Sequence, residues 1–155
     1  MAPAAAMQNE ASSLQILLVE DDAIHAHLIL RAIREYGKVK SVVHLTDGKP
    51  ALELLTSRRD RLSSQNDDYP HLVLLDLQLP EVNGFEVLRA LRSEPMTQQL
   101  PVIILSSSDL ADDVAQSYSL GANAYIMKPT DFNMFVHHMS SLCEFWGTVV
   151  RLPSI

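Results

Sequence analysis

Apolar and polar positions along the chain come in alternating blocks rather than residue by residue. Leu14 to Val19 is an apolar run that ends on Glu20-Asp21-Asp22. A helix is predicted over Ala23 to Tyr36, because Asp22 suits its N-cap and Gly37 its C-terminal stop. Lys40 to Leu45, with β-branched Val42 and Val43, reads as a second strand. Asp47-Gly48 turns the chain, and Pro50 fits the first turn of a second helix ending near Thr56 to Arg59. Arg58 to Pro70 is polar and reads as a long surface loop. Leu72 to Leu75 is a third strand, and Phe85 to Arg92 a third helix closed by Pro95. Val102 to Leu105 is a fourth strand stopped by Ser106-Ser107-Ser108, followed by a helix over Asp109 to Leu120 with Gly121 at its end. Ala124 to Met127 is a fifth strand ending at Lys128-Pro129. The last helix starts near Asp131, and Phe132, Phe135, Val136, Met139, Leu142, Cys143 and Trp146 follow helical spacing.

Strands therefore alternate with helices five times, and the strands read apolar throughout. That pattern predicts an α/β fold with a parallel sheet covered on both faces. A chain of 155 residues suits one domain, and no internal repeat is visible. The formal net charge of -7, without a basic stripe, argues against nucleic acid as a partner. Cys143 is the single cysteine, so no intrachain disulfide forms, and a reducing, cytoplasmic setting is expected. No apolar run approaches a membrane span. The start, MAPAAAMQNEASS, has no basic n-region or long apolar core, so residues 1–13 read as a frayed tail rather than a secretory signal.

The stretch HLVLLDLQLPEVNG places the carboxylate of Asp76 at the end of an apolar strand, where desolvation opposes its charge. In an open parallel sheet, ligands bind beyond the carboxyl ends of the strands. The first strand ends on Glu20-Asp21-Asp22, the third on Asp76, the fourth on Ser106 and the fifth on Lys128. Any one of these is ordinary turn or cap chemistry. All four together predict one convergent site. Clustered carboxylates raise each other's pKa unless a cation joins them, and a few oxygen ligands suit magnesium. A metal, an ammonium and a hydroxyl around one carboxylate describe phosphoryl transfer, with the carboxylate attacking.

LLVEDD, LLDLQLPEVNG, PVIILSSS and AYIMKP resemble, in order and spacing, the motifs of the receiver domains of two-component response regulators. The resemblance runs from about Leu14 to Glu144. It implies a flavodoxin-like (βα)5 fold with a five-stranded parallel sheet in the order 2-1-3-4-5. It implies that Asp76 is the phosphoacceptor, and that Glu20 and Asp21 hold magnesium together with Asp76 and the main-chain carbonyl of Gln78. It implies that Ser106 is the switch hydroxyl, that Tyr125 moves with it, and that Lys128 pairs with the phosphoryl oxygens through a strand end whose bond to Pro129 is cis. Gln116-Ser117-Tyr118, the AYIMKP stretch and FWGTVVRLP near the end are similar to single-domain regulators that serve bacterial phytochromes. The partner implied is a sensor histidine kinase, a bacteriophytochrome; the alternative is a kinase that is not a photoreceptor, or a phosphorelay step. Glu81-Val82-Asn83-Gly84 and Gly147 depart from that subgroup, and the first departure bears on phosphoryl lifetime.

Other functions are less well matched. An Asp-nucleophile hydrolase of the haloacid dehalogenase kind carries a second Asp two residues on, and here that position is Gln78. A dinucleotide binder needs G-x-G-x-x-G after the first strand, which is absent. A degenerate receiver would not keep Glu20, Asp21, Asp76, Ser106 and Lys128 together. His25 and His27, two apart, and His137-His138 read as surface or packing residues; Asp22 reads as a cap; Asp109, Asp112 and Asp113 complement a helix dipole. The domain is expected to span residues 14–145, with 146–155 as an extension. Output is expected through protein contacts, because no DNA-binding domain follows the fifth helix. The apolar stripe of the last helix runs on into Phe145, Trp146, Val149 and Leu152, so a symmetric homodimer through this end is expected, with a tail folded on its own domain as the other possibility.

Overall fold

The computed structural model describes residues 13–57 and 69–154. The expected frayed tail and most of the long loop over 58–70 lie outside the described residues. The elements follow in the order β1 (Gln15–Val19), α1 (Ala23–Tyr36), β2 (Ser41–Leu45), α2 (Gly48–Thr56), β3 (Leu72–Leu75), α3 (Gly84–Ser93), β4 (Val102–Ser106), α4 (Ala111–Ser119), β5 (Ala124–Met127) and α5 (Phe132–Glu144). All strand pairs are parallel, and the sheet order is β2-β1-β3-β4-β5. This is the flavodoxin-like (βα)5 arrangement that the resemblance to receiver domains implies.

Alternate residues of each inner strand feed opposite faces of the sheet. Leu17, Val19, Val73, Leu75, Val102 and Ile104 join α2 and α3 in one core. Ile16, Leu18, Leu72, Leu74, Ile103 and Leu105 join α1 and α5 in the other. Both sets are fully buried, which is why β1, β3 and β4 read as apolar runs, with Gln15 and Ser106 the polar residues at the ends of β1 and β4. The edge strands depart from that reading. In β2, Val43 is 44% exposed, and in β5 Met127 is 52% exposed. An edge strand has a neighbour on one side only, so its outer side chains are less covered than those of the centre.

Most helix ends fall where capping chemistry places them. Asp22 caps α1 by accepting from the amides of Ile24 and His25, and Gly37 follows its last turn. Asn83 and Glu86 form a reciprocal capping box at the start of α3. Asp131 caps α5 through the amide of Met134. α4 is shorter than expected. It starts at Ala111 instead of Asp109, with no side-chain cap at Leu110, because Ser108 takes up the preceding backbone: its Oγ accepts from Leu110 N and donates to Asp113 Oδ2. Only Ser117 of α4 is buried, so this helix has the thinnest hold on the core.

Beyond α5 the chain winds into a single π-helical turn, Phe145–Val149. Such turns are rare and concentrate at functional positions. No described helix is long and apolar enough to cross a membrane.

Candidate functional site

Strand register brings the strand-end groups together. Val19 pairs with Leu75, so Glu20 and Asp76 follow side by side, and Asp76 N donates to Val19 O at 3.0 Å. Ser106 pairs with Met127, and Lys128 N donates to Ser106 O at 2.8 Å. β1, β3, β4 and β5 are consecutive in the sheet, so all four strand ends open onto one edge.

Three carboxylates sit at the centre. Single oxygens of Glu20, Asp21 and Asp76 lie within 4.8 Å of one another. Glu20 is 1% exposed, whereas Asp21 faces solvent. Lys128 enters from β5 and donates from Nζ to Glu20 Oε2 at 2.5 Å and to Asp76 Oδ2 at 3.3 Å. Burial drives the Glu20 carboxyl pKa upward; the hydrogen bond and charge of Lys128 oppose that rise, the charge of Asp76 adds to it, and the net direction is up. Lys128 thus offsets only part of the cost of burying the Glu20 carboxylate. A donor set made only of carboxylate oxygens, partly open to water and short of positive charge, fits a hard divalent cation. The open side is a cavity of about 540 Å³ lined by Asp21, Gln78, Pro80, Asn83, Phe85 and Asp113. Gln78 also donates its amide to Asp76 Oδ1 at 3.4 Å.

The loop after Asp76 is pinned from two sides. At Gly84 an added Cβ would lie 2.3 Å from the carbonyl oxygen of Asp76, so only glycine admits this approach. At Gly48 an added Cβ would lie 2.2 Å from the carbonyl oxygen of Val82. Asp47 seals the same junction: its carboxylate accepts from Gly48 N at 2.6 Å and from Glu81 N and Val82 N, both at 3.1 Å. Desolvation works against that carboxylate, but the amide hydrogen bonds outweigh it and hold its pKa below the usual value. The turn pair Asp47-Gly48 therefore clamps the loop that carries Gln78, a role its sequence does not announce.

Ser106 and Tyr125 are linked through Ser108. Ser106, 1% exposed, accepts from Ser108 N at 3.2 Å, and Tyr125 OH donates to Ser108 O at 2.7 Å. Asp113 receives the Ser108 hydroxyl at 2.5 Å and also lines the acidic cavity. It is thus more than a dipole partner for α4. His25, read from sequence as a surface or packing residue, has Nδ1 at 3.2 Å from Lys128 Nζ. His44 has Nε2 at 2.8 Å from the Glu20 carbonyl oxygen. Neither carries a motif; their contacts come from the tertiary placement of α1 and β2. The expected cis bond at Lys128-Pro129 is not present, since the described residues contain no cis peptide. Trans is the favoured form of an X-Pro bond, and Lys128 reaches both carboxylates from it.

A second surface lies along β5, α5 and the π-helical turn. A groove of about 650 Å³ there is lined by Tyr125, Met127, Pro129, Met134, Phe145 and Trp146 among others. Phe145 is 51% and Val149 68% exposed, while Trp146 and Leu152 lean on the core formed by α1 and α5. Phe145 and Trp146 meet edge to face at 5.8 Å. Cys143 is buried, which pushes its thiol pKa up to about 12.

Residues 16–140 match the family model of the response regulator receiver domain. The chain is 37% identical to the probable methanogenesis regulatory protein FilR2 of Methanothrix harundinacea, over 89% of this chain and 86% of that one. It is 32% identical to response regulator Rcp1 of Synechocystis, over 90% and 92%. Among solved structures, the phosphorylated cyanobacterial phytochrome response regulator RcpA superposes with a TM-score of 0.81 at 34% identity, covering 92% of this chain and all of that one. The Mn(2+)-bound form of Rcp1 superposes at 0.78 with 31% identity, covering 91% and 99%. Buried acid, a bridging lysine and a hydroxyl at neighbouring strand ends accord with these matches, and the chain belongs to the response regulator receiver domains, as a phosphoacceptor signalling protein homologous to phytochrome response regulators.

Proposed function

We propose that Asp76 accepts the phosphoryl group from a phosphohistidine of a sensor kinase. The observation that carries this reading is Lys128 Nζ lying between Glu20 and Asp76 inside the carboxylate triad. A carboxylate oxygen of Asp76 attacks phosphorus, the phosphorus–nitrogen bond breaks, and the imidazole leaves. Lys128 stands ready to neutralise charge on the phosphoryl oxygens, because its ammonium is already within 3.3 Å of Asp76. Glu20, Asp21, Asp76 and the main-chain carbonyl of Gln78 would hold magnesium. When bound, that ion supplies further positive charge to the transferring group.

Ser106 is the switch hydroxyl in this reading. It turns from Ser108 N toward the phosphoryl oxygens, and Ser108 passes the change to Tyr125 and, through Asp113, to α4. The scant burial of α4 supports it as the element that moves. Residues 14–145 form the receiver unit, and the turn and tail from 146 onward extend it. Exposed Phe145 and Val149, beside half-buried Trp146 and Leu152, support a symmetric homodimer through this end.

Similarity to the cyanobacterial phytochrome response regulator RcpA supports a bacterial phytochrome as the kinase, and the single cysteine supports a reducing, cytoplasmic setting. Similarity to FilR2 at 37% identity favours a second reading, a kinase that senses something other than light. Transfer assays with candidate purified kinases separate the two. Transfer from a phytochrome kinase that is many-fold faster than from other kinases supports the first. Comparable or slower transfer supports the second.

A further inference from the structure

The ammonium of Lys128 has three N–H donors, and three acceptors surround it: Glu20 Oε2 at 2.5 Å, His25 Nδ1 at 3.2 Å and Asp76 Oδ2 at 3.3 Å. Two acceptors are carboxylates. The third is a ring nitrogen, and because Lys128 has only protons to offer, Nδ1 must accept and the ring proton sits on Nε2. The three differ in exposure. The Lys128 and Glu20 side chains are 5% and 1% exposed, while that of His25 is 40% exposed. His25 therefore forms the solvent-facing wall of the lysine site. It is held there by the cap of α1, since Asp22 Oδ1 accepts from His25 N at 2.9 Å.

Lys128 Nζ lies 2.5 Å from Glu20 Oε2 and 3.3 Å from Asp76 Oδ2. His25 Nδ1 stands on the Glu20 side of the ammonium, 4.0 Å from Glu20 Oε1. With Glu20 and His25 each taking one N–H, the ammonium has its remaining N–H for Asp76. We propose that His25 is a positioning residue for phosphoryl transfer, acting through Lys128. By taking one N–H, its Nδ1 sets the orientation in which the remaining N–H faces Asp76, and it is the partner that yields to an incoming phosphoryl oxygen. Exchanging the imidazole swaps a neutral acceptor for an anionic one and leaves both ion pairs intact, whereas exchanging either carboxylate would break one. This rests on Asp76 being the phosphoacceptor.

The test uses the full chain with acetyl phosphate and magnesium chloride, at a temperature where circular dichroism shows every variant folded. Initial labelling rates are compared for wild type, His25→Leu, His25→Asn and Asp76→Asn. Leucine fills similar space and accepts nothing, while the asparagine amide oxygen lies near the position of Nδ1 and accepts. The expected result is labelling about fivefold slower in His25→Leu and a return to within roughly twofold of wild type in His25→Asn, the size of one typical net hydrogen bond. Equal rates in wild type and His25→Leu overturn the proposal. Equal losses in the leucine and asparagine variants also overturn it, because a structural role shows no rescue by an acceptor. If Asp76→Asn is labelled as fast as wild type, the assignment of Asp76 fails first and takes the proposal with it.

Discussion

The strand-end site and the C-terminal edge break the usual inside-outside rule in opposite directions. At the strand ends, Glu20, Asp76 and Lys128 are buried although charged. Along β5, α5 and the π-helical turn, Met127, Met134, Phe145 and Val149 are about half exposed or more although apolar. Buried charge and exposed large apolar surface are the two departures that carry functional information. They differ in how they are satisfied. Within the site, polar groups find partners inside the same chain, through contacts such as Lys128 to Glu20 and Asp47 to the loop amides. Along the edge, Trp146 and Leu152 lean on their own domain while Phe145 and Val149 stay exposed. The comparison teaches that the first region is arranged for internal chemistry and that the second has the character of an interface.

The largest effect should come from removing the lysine. Lys128→Met leaves two buried carboxylates without their cation. Phosphorylation by acetyl phosphate should fall at least ~100-fold, and in the presence of a chelator folding stability should fall by about 3 kcal/mol at neutral pH. Denaturant titration reads the second number. Unchanged stability would mean that the site does not confine charge as described.

On the other side of the comparison, Trp146→Ala should weaken the proposed dimer by roughly 30-fold, the effect of losing one interface anchor. Sedimentation velocity over a concentration series checks this, alongside a chain ending at Glu144. A wild-type chain that stays monomeric at tens of micromolar, roughly where an interface of standard area assembles, would show that the apolar edge serves something else.

Glu20 gives a pH signature. Its folded pKa is raised above 4.5, chiefly by burial, so the folded state holds this proton more tightly than the unfolded chain does. Its contribution is therefore absent as a cost below pH 4.5 and becomes a growing cost as pH rises toward the folded pKa. Glu20→Gln should flatten that slope and, in chelator, leave the protein more stable than wild type at neutral pH. An unaltered pH profile contradicts the account.

The smallest effect lies between the two regions. Tyr36 OH donates to Glu144 Oε2 at 2.5 Å and ties the end of α1 to the start of the π-helical turn. Burial and the Glu144 carboxylate raise the Tyr36 phenol to about 12. Stability from this group is complete below pH 10 and is lost as pH rises from 10 to about 12. Tyr36→Phe should lower the melting temperature by about two degrees at neutral pH and abolish the part of the alkaline loss that lies in that window. Ultraviolet titration should show the tyrosine ionisation near pH 12 disappearing.

Sequence reading reached furthest where local chemistry decides the outcome. The bounds of α1 between Asp22 and Gly37, and of β3 and β5, follow from caps and apolar runs. The convergence of Glu20, Asp21, Asp76, Ser106 and Lys128 was legible because strand order alone brings strand ends together. Contacts set by tertiary placement were not legible. His25 meets Lys128 across 103 residues and Asp47 meets Val82 across 35, and no spacing rule encodes either. The late start of α4 was hidden for a related reason: Ser108 can cap a helix or hold a loop, and the position of Asp113 selects the second.

The most direct test of the central claim is mass measurement of the intact chain after incubation with acetyl phosphate, with magnesium and with chelator, for wild type and Asp76→Asn. The account predicts one added phosphoryl group on wild type in magnesium, and almost none with chelator or on Asp76→Asn. Full labelling of Asp76→Asn, or labelling of wild type that ignores the chelator, would contradict it.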